Sequence, residues 1–372
     1  APGSAVFGTV PDGEYWAGSP AVLRADDARG PWRDRPTGSR LWAGAYAATA
    51  VLLGLLPVLA TLVALVPLLV WAGRPAAADD LVGLLVWLPL STVIGLLALA
   101  VLVWAVVRVA ASVIAAGVHP VRSAPGLAVW ATVRVLDEAR SWLFPLYSST
   151  LTPWWLRRLG ARIGTDVEAS TVLMVPSLTQ VNDESFLADD TLIGGYELGG
   201  GWLRVEKVKI GKRAFVGNSG MAAPGRKVPK ASLVAVLSAA PRRGTARSGE
   251  SWLGSPPAPL RRTTGAEVDH RTYHPPTRLR VVRALVELCR LLPVMVSLLL
   301  LALVAIGVVA VLGGPGVVVA VLLTGPLLVG AGLVAAGVTA AAKWALVGRM
   351  RPGTHPLWSG FVWRNELADT FV

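Results

Sequence analysis

Residues 163–198 of this chain read IGTDVEASTVLMVPSLTQVNDESFLADDTLIGGYEL, and residues 210–240 read IGKRAFVGNSGMAAPGRKVPKASLVAVLSAA. In both stretches an aliphatic residue returns every six positions: Ile163, Ala169, Val175, Val181, Leu187 and Ile193, then Ile210, Val216, Ala222, Val228, Val234 and Ala240. The next residue is usually small or turn-compatible, as at Gly164 and Gly211. A period of six matches neither a helix nor an ordinary strand, but it fits a coil with three flat faces around an aliphatic interior. The sequence therefore predicts a left-handed parallel β-helix.

The six-residue rhythm is interrupted at Gly199–Lys209, which reads GGGWLRVEKVK. This segment breaks the register and is predicted to leave the coil as a loop. Loops that project from a regular scaffold commonly carry binding residues. Trp202 and Arg204 are therefore predicted to shape a groove, with an idle insertion as the alternative.

Hydropathy places much of the remaining chain in a membrane. Of the 372 residues 53% are hydrophobic, and the mean hydropathy is +0.57. Uncharged stretches of about 20 apolar residues are what a hydrocarbon core of about 30 Å requires. We predict membrane spans at roughly 47–71, 83–107, 291–312 and 317–342, arranged as two hairpins. Buried core helices of a soluble protein are the alternative.

The charges of the chain predict its orientation. If the spans form two hairpins, Arg74 is the only Lys or Arg on its side of the membrane, although the net charge is +12. Cations that flank spans favour the cytoplasmic side. We predict a multi-pass protein of the cell membrane whose soluble parts are cytoplasmic. No nucleic-acid partner is predicted, because topology and attraction to anionic headgroups account for the charge.

A longer repeat predicts more than one module. Residues 12–20 (DGEYWAGSP) resemble residues 248–256 (SGESWLGSP), and Trp358 precedes Asn365-Glu366 as Trp130 precedes Asp137-Glu138. We expect a piece of a longer protein with at least three copies of a unit of about 230 residues. The predicted domains are 1–40 (tail of a preceding module and linker), 41–107 (first transmembrane hairpin), 108–158 (amphipathic leading segment), 159–262 (β-helix), 263–290 (linker), 291–342 (second hairpin) and 343–372 (leading segment of a following module).

Acidic hexads provide the candidate catalytic residues. Residues six and seven apart are expected to stack on one face, where carboxylates receive a cationic amine or act as a general base. Asp183 and Asp190 are the predicted catalytic residues. The predicted substrate-binding residues are Asn182, Glu184, Asp189, Glu197, Trp202, Arg204 and Asn218. A solvated acidic face is the alternative.

A basic set of residues lies beside the acidic one. Lys209, Arg226, Lys227 and Lys230 are predicted to bind the phosphate of a pantetheine arm, while a surface that faces anionic lipid remains an equal alternative. Residues 120–269 contain no histidine, so the coils lack a histidine base. His119 and His355 each precede a proline, which suggests structural roles. No metal site is predicted from His270, His274 or the single Cys289.

The stretches VNDESFLADDTLIGGYELGGGWLRVEKVKIGKRAFVGNSGMAAPGRKVPKASLV (181–234) and SWLGSPPAPLRR (251–262) carry a family resemblance. Together with the membrane hairpins they resemble the C-terminal region of nonribosomal peptide synthetases of the ε-poly-lysine synthetase type, over essentially the whole chain. The resemblance implies that upstream adenylation and carrier domains supply an aminoacyl thioester on a phosphopantetheine arm. It implies no tightly bound cofactor.

The predicted function is that of a membrane-embedded aminoacyl or peptidyl transferase module that forms amide or isopeptide bonds from carrier-bound thioesters. One alternative is a non-catalytic scaffold, or a degenerate β-helix module that forms a pseudo-trimer with neighbouring β-helix copies or a homo-oligomer. Another is a coenzyme A-dependent acyltransferase. Whether this copy is an enzyme by itself stays open, because its coils lack a histidine.

Overall fold

The computed structural model describes residues 4–25, 32, 34–73, 81–242, 244–261, 274–313, 316–350 and 352–371. Arg74 and His270 lie outside the described residues. The chain divides into two compact units, Ala1–Val58 with Ala100–Glu267 and Leu59–Leu99 with Val268–Val372.

Most of the strands lie in the middle part of the chain, and most of the helices lie on either side of it. The N-terminal part contains β1 (Tyr15–Ala17), β2 (Val22–Ala25), α1 (Leu41–Ala72), α2 (Leu81–Ala111), β3 (Gly117–Pro120), α3 (Ala124–Trp142) and α4 (Thr152–Leu159). The middle part contains β4 (Arg162–Ile163), β5 (Glu168–Ala169), β6 (Leu173–Met174), β7 (Thr179–Val181), β8 (Phe186–Leu187), β9 (Leu192–Ile193), β10 (Glu197–Gly199), β11 (Trp202–Val205), β12 (Val208–Ile210), β13 (Phe215–Val216), β14 (Met221–Ala222), β15 (Lys227–Val228), β16 (Leu233–Val234), β17 (Ser251–Leu253) and β18 (Ala258–Pro259). The C-terminal part contains α5 (Thr277–Leu288), α6 (Leu291–Leu312), α7 (Val317–Leu346) and α8 (Gly360–Asp369).

Short strands of residues 162–259, the three-sheet region, are distributed over three sheets. The sheet orders are β15-β12-β7-β4, β18-β17-β16-β13-β8-β5 and β14-β9-β6. Consecutive strands from β4 to β9 join these sheets in rotation, and β12 to β16 resume the rotation. Ile163 therefore lies opposite Val181, which in turn lies opposite Ile210. Residues that are one full turn of three hexads apart are neighbours, whereas residues one hexad apart belong to different sheets.

The six-residue series forms the interior of the three-sheet region. The side chains with 0% exposure include those of Val175, Leu187, Ile193, Ile210, Val216, Ala222, Val228 and Val234. One register change occurs at Met174, which replaces Val175 opposite Ile193 and is also fully buried. The corners require a left-handed backbone at residues other than glycine: Asp166, Glu184, Asp190, Arg213, Ser219, Ala231 and Leu237 have φ between 51° and 58°. The hexad therefore encodes a short inward-facing strand followed by a tight corner.

The predicted fold class, a left-handed parallel β-helix flanked by two helical hairpins, is wrong. The structure is mixed α/β, and its sheets are mixed: β10, β11 and β3 pair antiparallel, and β17 pairs parallel with β16 but antiparallel with β18. The physical reason is that β11 forms its backbone hydrogen bonds with β3, which lies outside the hexad series. A six-residue rhythm contains no information about such a partner.

The predicted loop at Gly199–Lys209 is an ordered segment: its first part belongs to the antiparallel hairpin of β10 and β11, and Val208 and Lys209 belong to β12. In β11, Leu203 lies opposite His119 and Val205 opposite Gly117 of β3. Leu203 and Val205 are buried in a cluster with Val129, Val175 and Leu178. The hairpin thus ties the segment after α2 to the three-sheet region.

Helix α3 packs one face into its own unit. Its buried residues are Gly126, Val129, Ala131, Thr132, Val135, Leu136 and Ala139. Ser123 begins the helix, since its Oγ accepts a hydrogen bond from the Gly126 amide at 3.2 Å. Trp130 packs edge-on against Tyr46 at a ring distance of 5.1 Å, and the Tyr46 hydroxyl donates to the Val121 carbonyl.

Among the described residues, four helical segments are long and apolar enough to cross a membrane: Leu41–Trp71, Val86–Ala111, Thr277–Leu301 and Val321–Leu346. They are consistent with membrane association and with a lipid bilayer as partner. The first, second and fourth overlap the predicted spans closely, whereas the third begins at the start of α5. Pro89 and Pro326 lie inside helices, as a bilayer environment permits.

Helices of the second unit pack through small residues and a buried charge cluster. A Cβ added to Gly95 would lie 2.7 Å from Cβ of Ala64, so the glycine allows α1 and α2 to approach closely. Arg290 is 2% exposed and its Nη2 lies 3.1 Å from Oε2 of Glu366. This contact joins the residue between α5 and α6 to α8.

Two pairs of segments repeat in sequence, and the pair of hairpins also repeats in local structure. Strands β1 and β2 form an antiparallel hairpin, as do β17 and β18. Gly18 and Gly254 occupy the same place in these hairpins with φ of 113° and 89°. Residues 117–123 (GVHPVRS) precede α3, and residues 353–359 (GTHPLWS) precede α8. These two segments are separated along the chain by the same number of residues as the two hairpins. The predicted domain boundaries stay predictions.

Candidate functional site

The corner between β8 and β9 places Asp189 and Asp190 against the last turn of α3. Nη1 of Arg140 lies 2.7 Å from Oδ1 of Asp190 and also donates to the Thr171 carbonyl at 3.1 Å. Nη2 of Arg140 binds Asp137 on the same helix. The Asp190 amide donates to Oγ1 of Thr171 at 2.9 Å. One guanidinium thus connects the helix to two successive turns of the three-sheet region.

A second chain of hydrogen bonds ends on Asp189. The hydroxyls of Ser148 and Ser170 lie 2.5 Å apart, and the Ser170 hydroxyl donates to the Asp189 carboxylate. Ser148 has a left-handed backbone with φ of 52°, in the turn that leads from α3 to α4. Tyr147 beside it is fully buried, and burial raises its pKa to about 12, so it remains a neutral phenol at neutral pH.

This polar cluster, defined as Asp137, Arg140, Ser148, Ser170, Thr171, Asp189 and Asp190, has an excess of negative charge. It contains three carboxylates and one guanidinium, and both aspartates of the corner are exposed. A surface with an excess of negative charge attracts cations, including primary ammonium groups, and carboxylates are among the side chains that act as general bases. It is the candidate functional site.

Asp183, Glu184 and Asn182 lie at a different corner. Oδ1 of Asp183 accepts from the Thr165 amide at 2.8 Å, one turn earlier in the three-sheet region. Glu184 is 7% exposed and pairs with both Lys212 at 2.8 Å and Arg213. Hydrogen bonds from Lys212 and Arg213 lower the pKa of Glu184 to about 2. Lys212 and Arg213 therefore offset the negative charge of Glu184.

Glu197, Arg204 and Trp202 belong to the inserted hairpin. Arg204 lies 3.3 Å from Glu197 and 2.8 Å from Glu206, and the bond to Glu206 raises the pKa of Arg204. The Trp202 indole donates to the Asp34 carbonyl at 3.0 Å. A Cβ added to Gly199 would lie 2.0 Å from Nε1 of Trp32. These contacts hold the hairpin to residues before α1.

The basic residues lie on another face. Lys209 and Lys227 are exposed and directly opposite each other in register on β12 and β15. Arg226 is partly buried, and desolvation lowers its pKa. Lys230 is exposed at the next corner, and Asn218 is exposed at the corner after β13.

The structure therefore separates the predicted site residues. The expected stacking of residues six and seven apart is wrong, because one hexad advances the chain to the next sheet. Asp183 and Asp190, the predicted catalytic pair, lie at successive corners and have different partners. The roles assigned to these residues stay predictions.

The sequence interpretation missed Arg140, Ser148, Ser170 and Thr171. Ser170 and Thr171 precede Asp189 and Asp190 by one full turn, so stacking by three hexads instead of one would have found both pairs. No signal in the hexads points to Arg140 or Ser148, which come from α3 and the turn after it. Within the part of the chain that the structure describes, no three His, Cys, Asp or Glu side chains are grouped as metal ligands.

Comparison with known proteins supplies a relative for most of the chain. No protein-family model matches it. Over 257 residues, or 67% of its length, the chain is 31% identical to the delta-poly-L-ornithine synthetase of Acinetobacter baumannii (strain AB307-0294). The chain is similar to a poly-amino-acid synthetase. The chain spans 19% of the length of that synthetase. The similarity to a poly-amino-acid synthetase agrees with the broad family expected from residues 181–262, while the ε-poly-lysine type stays a proposal.

Proposed function

We propose that the chain is a membrane-embedded aminoacyl or peptidyl transferase module of a poly-amino-acid synthetase of the ε-poly-lysine synthetase type. The observation that carries this proposal is the similarity to the poly-ornithine synthetase over 67% of the chain. The acyl donor is a carrier-bound aminoacyl thioester on a phosphopantetheine arm, and the acceptor is an amine. The carrier and adenylation domains are the partners, and the soluble parts face the cytoplasm, where ATP-dependent activation occurs.

The polar cluster is the proposed acceptor site. A basic amino acid such as ornithine or lysine carries a second ammonium group, and Asp189 and Asp190 attract it by charge. Either carboxylate then takes a proton from the ammonium group, and the resulting free amine attacks the thioester carbonyl. As the amide forms, the attacking nitrogen loses its second proton to the departing thiolate, so the carrier is released as a free thiol.

The exposed cations on and next to the sheet β15-β12-β7-β4 support a proposed binding site for the phosphopantetheine arm of the acyl donor. Lys209, Lys227 and Lys230, with Arg226 beside them, match the negative charge of a phosphopantetheine phosphate. Asp183, Asn182, Asn218 and Glu197 are proposed as outer substrate contacts, and Arg204 and Trp202 as the support of the hairpin that borders them.

The test is polymer synthesis by the intact protein, purified in detergent and given ATP with ornithine or lysine. D189N/D190N is expected to reduce polymer, measured by mass spectrometry, at least tenfold, or about 1.4 kcal/mol in activation free energy. The matched control is Glu138→Gln on α3, because Glu138 is partly exposed, pairs with Arg134 and lies outside the polar cluster. Full activity of D189N/D190N would overturn the acceptor site, and a product without amide-linked basic amino acids would overturn the function.

A non-catalytic scaffold is the second candidate function. The contacts of the inserted hairpin favour this function, because they serve to attach it to the segment before α1. The Trp202 indole binds the Asp34 carbonyl, and the Trp32 indole packs against Gly199. A scaffold predicts that D189N/D190N leaves polymer synthesis unchanged while loss of the hairpin contacts abolishes it.

A further inference from the structure

We propose that the exposed face of α4 is a membrane-surface anchor that lies in the headgroup region of the bilayer and fixes the three-sheet region beside it. This helix, Thr152–Leu159, reads TPWWLRRL. The proposal concerns where this part of the chain contacts lipid, and it does not depend on the proposed function.

The sequence of α4 separates a buried face from an exposed one. Trp155, Leu156 and Leu159 are buried, and the Trp155 indole donates to the Tyr147 hydroxyl at 3.2 Å. On the opposite side Trp154 is 47% exposed, and Leu151 just before the helix is 54% exposed. The packing of the helix into its own unit thus leaves the Trp154 and Leu151 side chains exposed.

Two contacts place α4 beside the end of a membrane-spanning helix. The indole of Trp104 on α2 donates to the Arg158 carbonyl at 3.1 Å. A Cβ added to Gly160, the residue that ends α4, would lie 2.8 Å from Nη1 of Arg108. Trp104 and Arg108 lie one turn apart near the end of the candidate span Val86–Ala111. Tryptophan and arginine at such a position mark the boundary between hydrocarbon and water.

The charges of α4 suit an anionic headgroup layer. Arg157 and Arg158 are exposed, and the guanidinium of Arg158 lies 5.3 Å from the centre of the Trp154 ring. This arrangement presents an indole and a cation together, as interfacial helices do. Nε of Arg157 also donates to the Ile163 carbonyl at 2.9 Å, which fastens α4 to the first strand of the three-sheet region. A bilayer contact at α4 therefore sets the height of that strand above the membrane.

The occupant of this face is lipid and not a second protein, because the face continues directly from the lipid-facing side of α2. Trp104 itself is 42% exposed, and Val101, one turn before it, is 60% exposed. The exposed apolar residues Val101, Trp104 and Trp154 thus connect the span to α4, and all three belong to the first unit.

The experiment measures the depth of a nitroxide label on the chain in nanodiscs of phosphatidylcholine and phosphatidylglycerol. In a Cys289→Ser background, Trp154→Cys carries the label, and Leu237→Cys, 73% exposed at a distant corner, carries the aqueous reference. At residue 154 collisions with oxygen are expected to exceed those with a water-soluble nickel chelate, with a ratio several times that at residue 237. Leu151→Cys on the same face gives a second measurement if Trp154→Cys does not fold.

Two outcomes would overturn the anchor. Equal ratios at residues 154 and 237 would place the face of α4 in water. Protection of residue 154 from both reagents would show that protein covers the face. Folding of each labelled chain is checked by circular dichroism, which must match the unlabelled parent.

Discussion

Arg140 and Asp190 form an ion pair at 2.7 Å that joins the last turn of α3 to the corner between β8 and β9. The Arg140 side chain is 18% exposed, whereas that of Asp190 is 64% exposed. Substitution of Arg140 and substitution of Asp190 are therefore expected to lower the free energy of unfolding by different amounts. The arginine also satisfies Asp137 and the Thr171 carbonyl, and the aspartate mainly supplies charge at the surface.

Arg140→Met is expected to lower the free energy of unfolding by about 2 kcal/mol, because a charged hydrogen-bond network loses its only cation. Asp190→Asn is expected to cost less than about 1 kcal/mol, since exposed ion pairs contribute little. Denaturant unfolding in detergent, followed by circular dichroism, measures both. A double-mutant cycle should give a coupling of about 1 kcal/mol, and a loss below about 0.5 kcal/mol for Arg140→Met would contradict the network.

The stability of the chain is expected to fall in acid through Glu184. Its pKa is lowered to about 2 in the folded state from 4.5, so its contribution is complete above about pH 4.5 and is lost as the pH falls towards 2. Glu184→Gln should remove this part of the pH dependence and should destabilise the chain most at neutral pH.

Lys212→Met serves as the matched variant for Glu184, since it removes one of the two cations and leaves Arg213 in place. Part of the acid dependence should then remain. The measurement is a series of unfolding curves between pH 6 and pH 2, a range that covers the folded and unfolded pKa values of Glu184. Equal losses of stability in wild type and Glu184→Gln over this range would contradict the pairing.

Gly211→Ala is expected to destabilise the three-sheet region by about 1–3 kcal/mol, the usual range for overpacking. An added Cβ would lie 2.5 Å from the carbonyl carbon of Pro229 on the next turn, and backbone cannot move aside as a flexible side chain would. Gly8→Ala is the control, because nothing lies within 4 Å of its Cβ position. Thermal unfolding in detergent should rank Gly211→Ala clearly below Gly8→Ala, and equal melting temperatures would show that the turns can separate.

Gly199→Val is expected to release the inserted hairpin from the segment before α1, because its Cβ position is occupied by the Trp32 indole. Amide hydrogen exchange in β11 and β3 should become about tenfold faster or more, which corresponds to at least about 1.4 kcal/mol of local stability. Leu198→Ala, 59% exposed in the same hairpin, should leave the exchange rates unchanged. Equal rates in the two variants would show that Trp32 does not hold the hairpin.

The hexads predicted the short strands and their buried residues well, because burial of an aliphatic side chain every sixth residue is a local property. Leu187, Ile193 and Val216 are fully buried, as their positions in the series required. The fold class was wrong because β3 and β11 pair across more than eighty positions, and that pairing lies outside any local period. The grouping of the acidic residues was wrong for a related reason, since a repeat shows which residues are equivalent but not how many repeats complete one turn.

The sequence by itself determined the apolar spans, the short strands that recur every six residues with their interior residues, and the break at residues 199–209, because hydropathy and side-chain size act locally along the chain. Only the tertiary structure decided what that break does and which carboxylates share a site. The hairpin β10–β11 needs β3 to satisfy its backbone hydrogen bonds, and Asp189 and Asp190 obtain partners only where Ser170, Thr171 and Arg140 lie next to them. Those neighbours come from an earlier turn and from α3, so their position follows from how the turns stack and not from any period in the sequence.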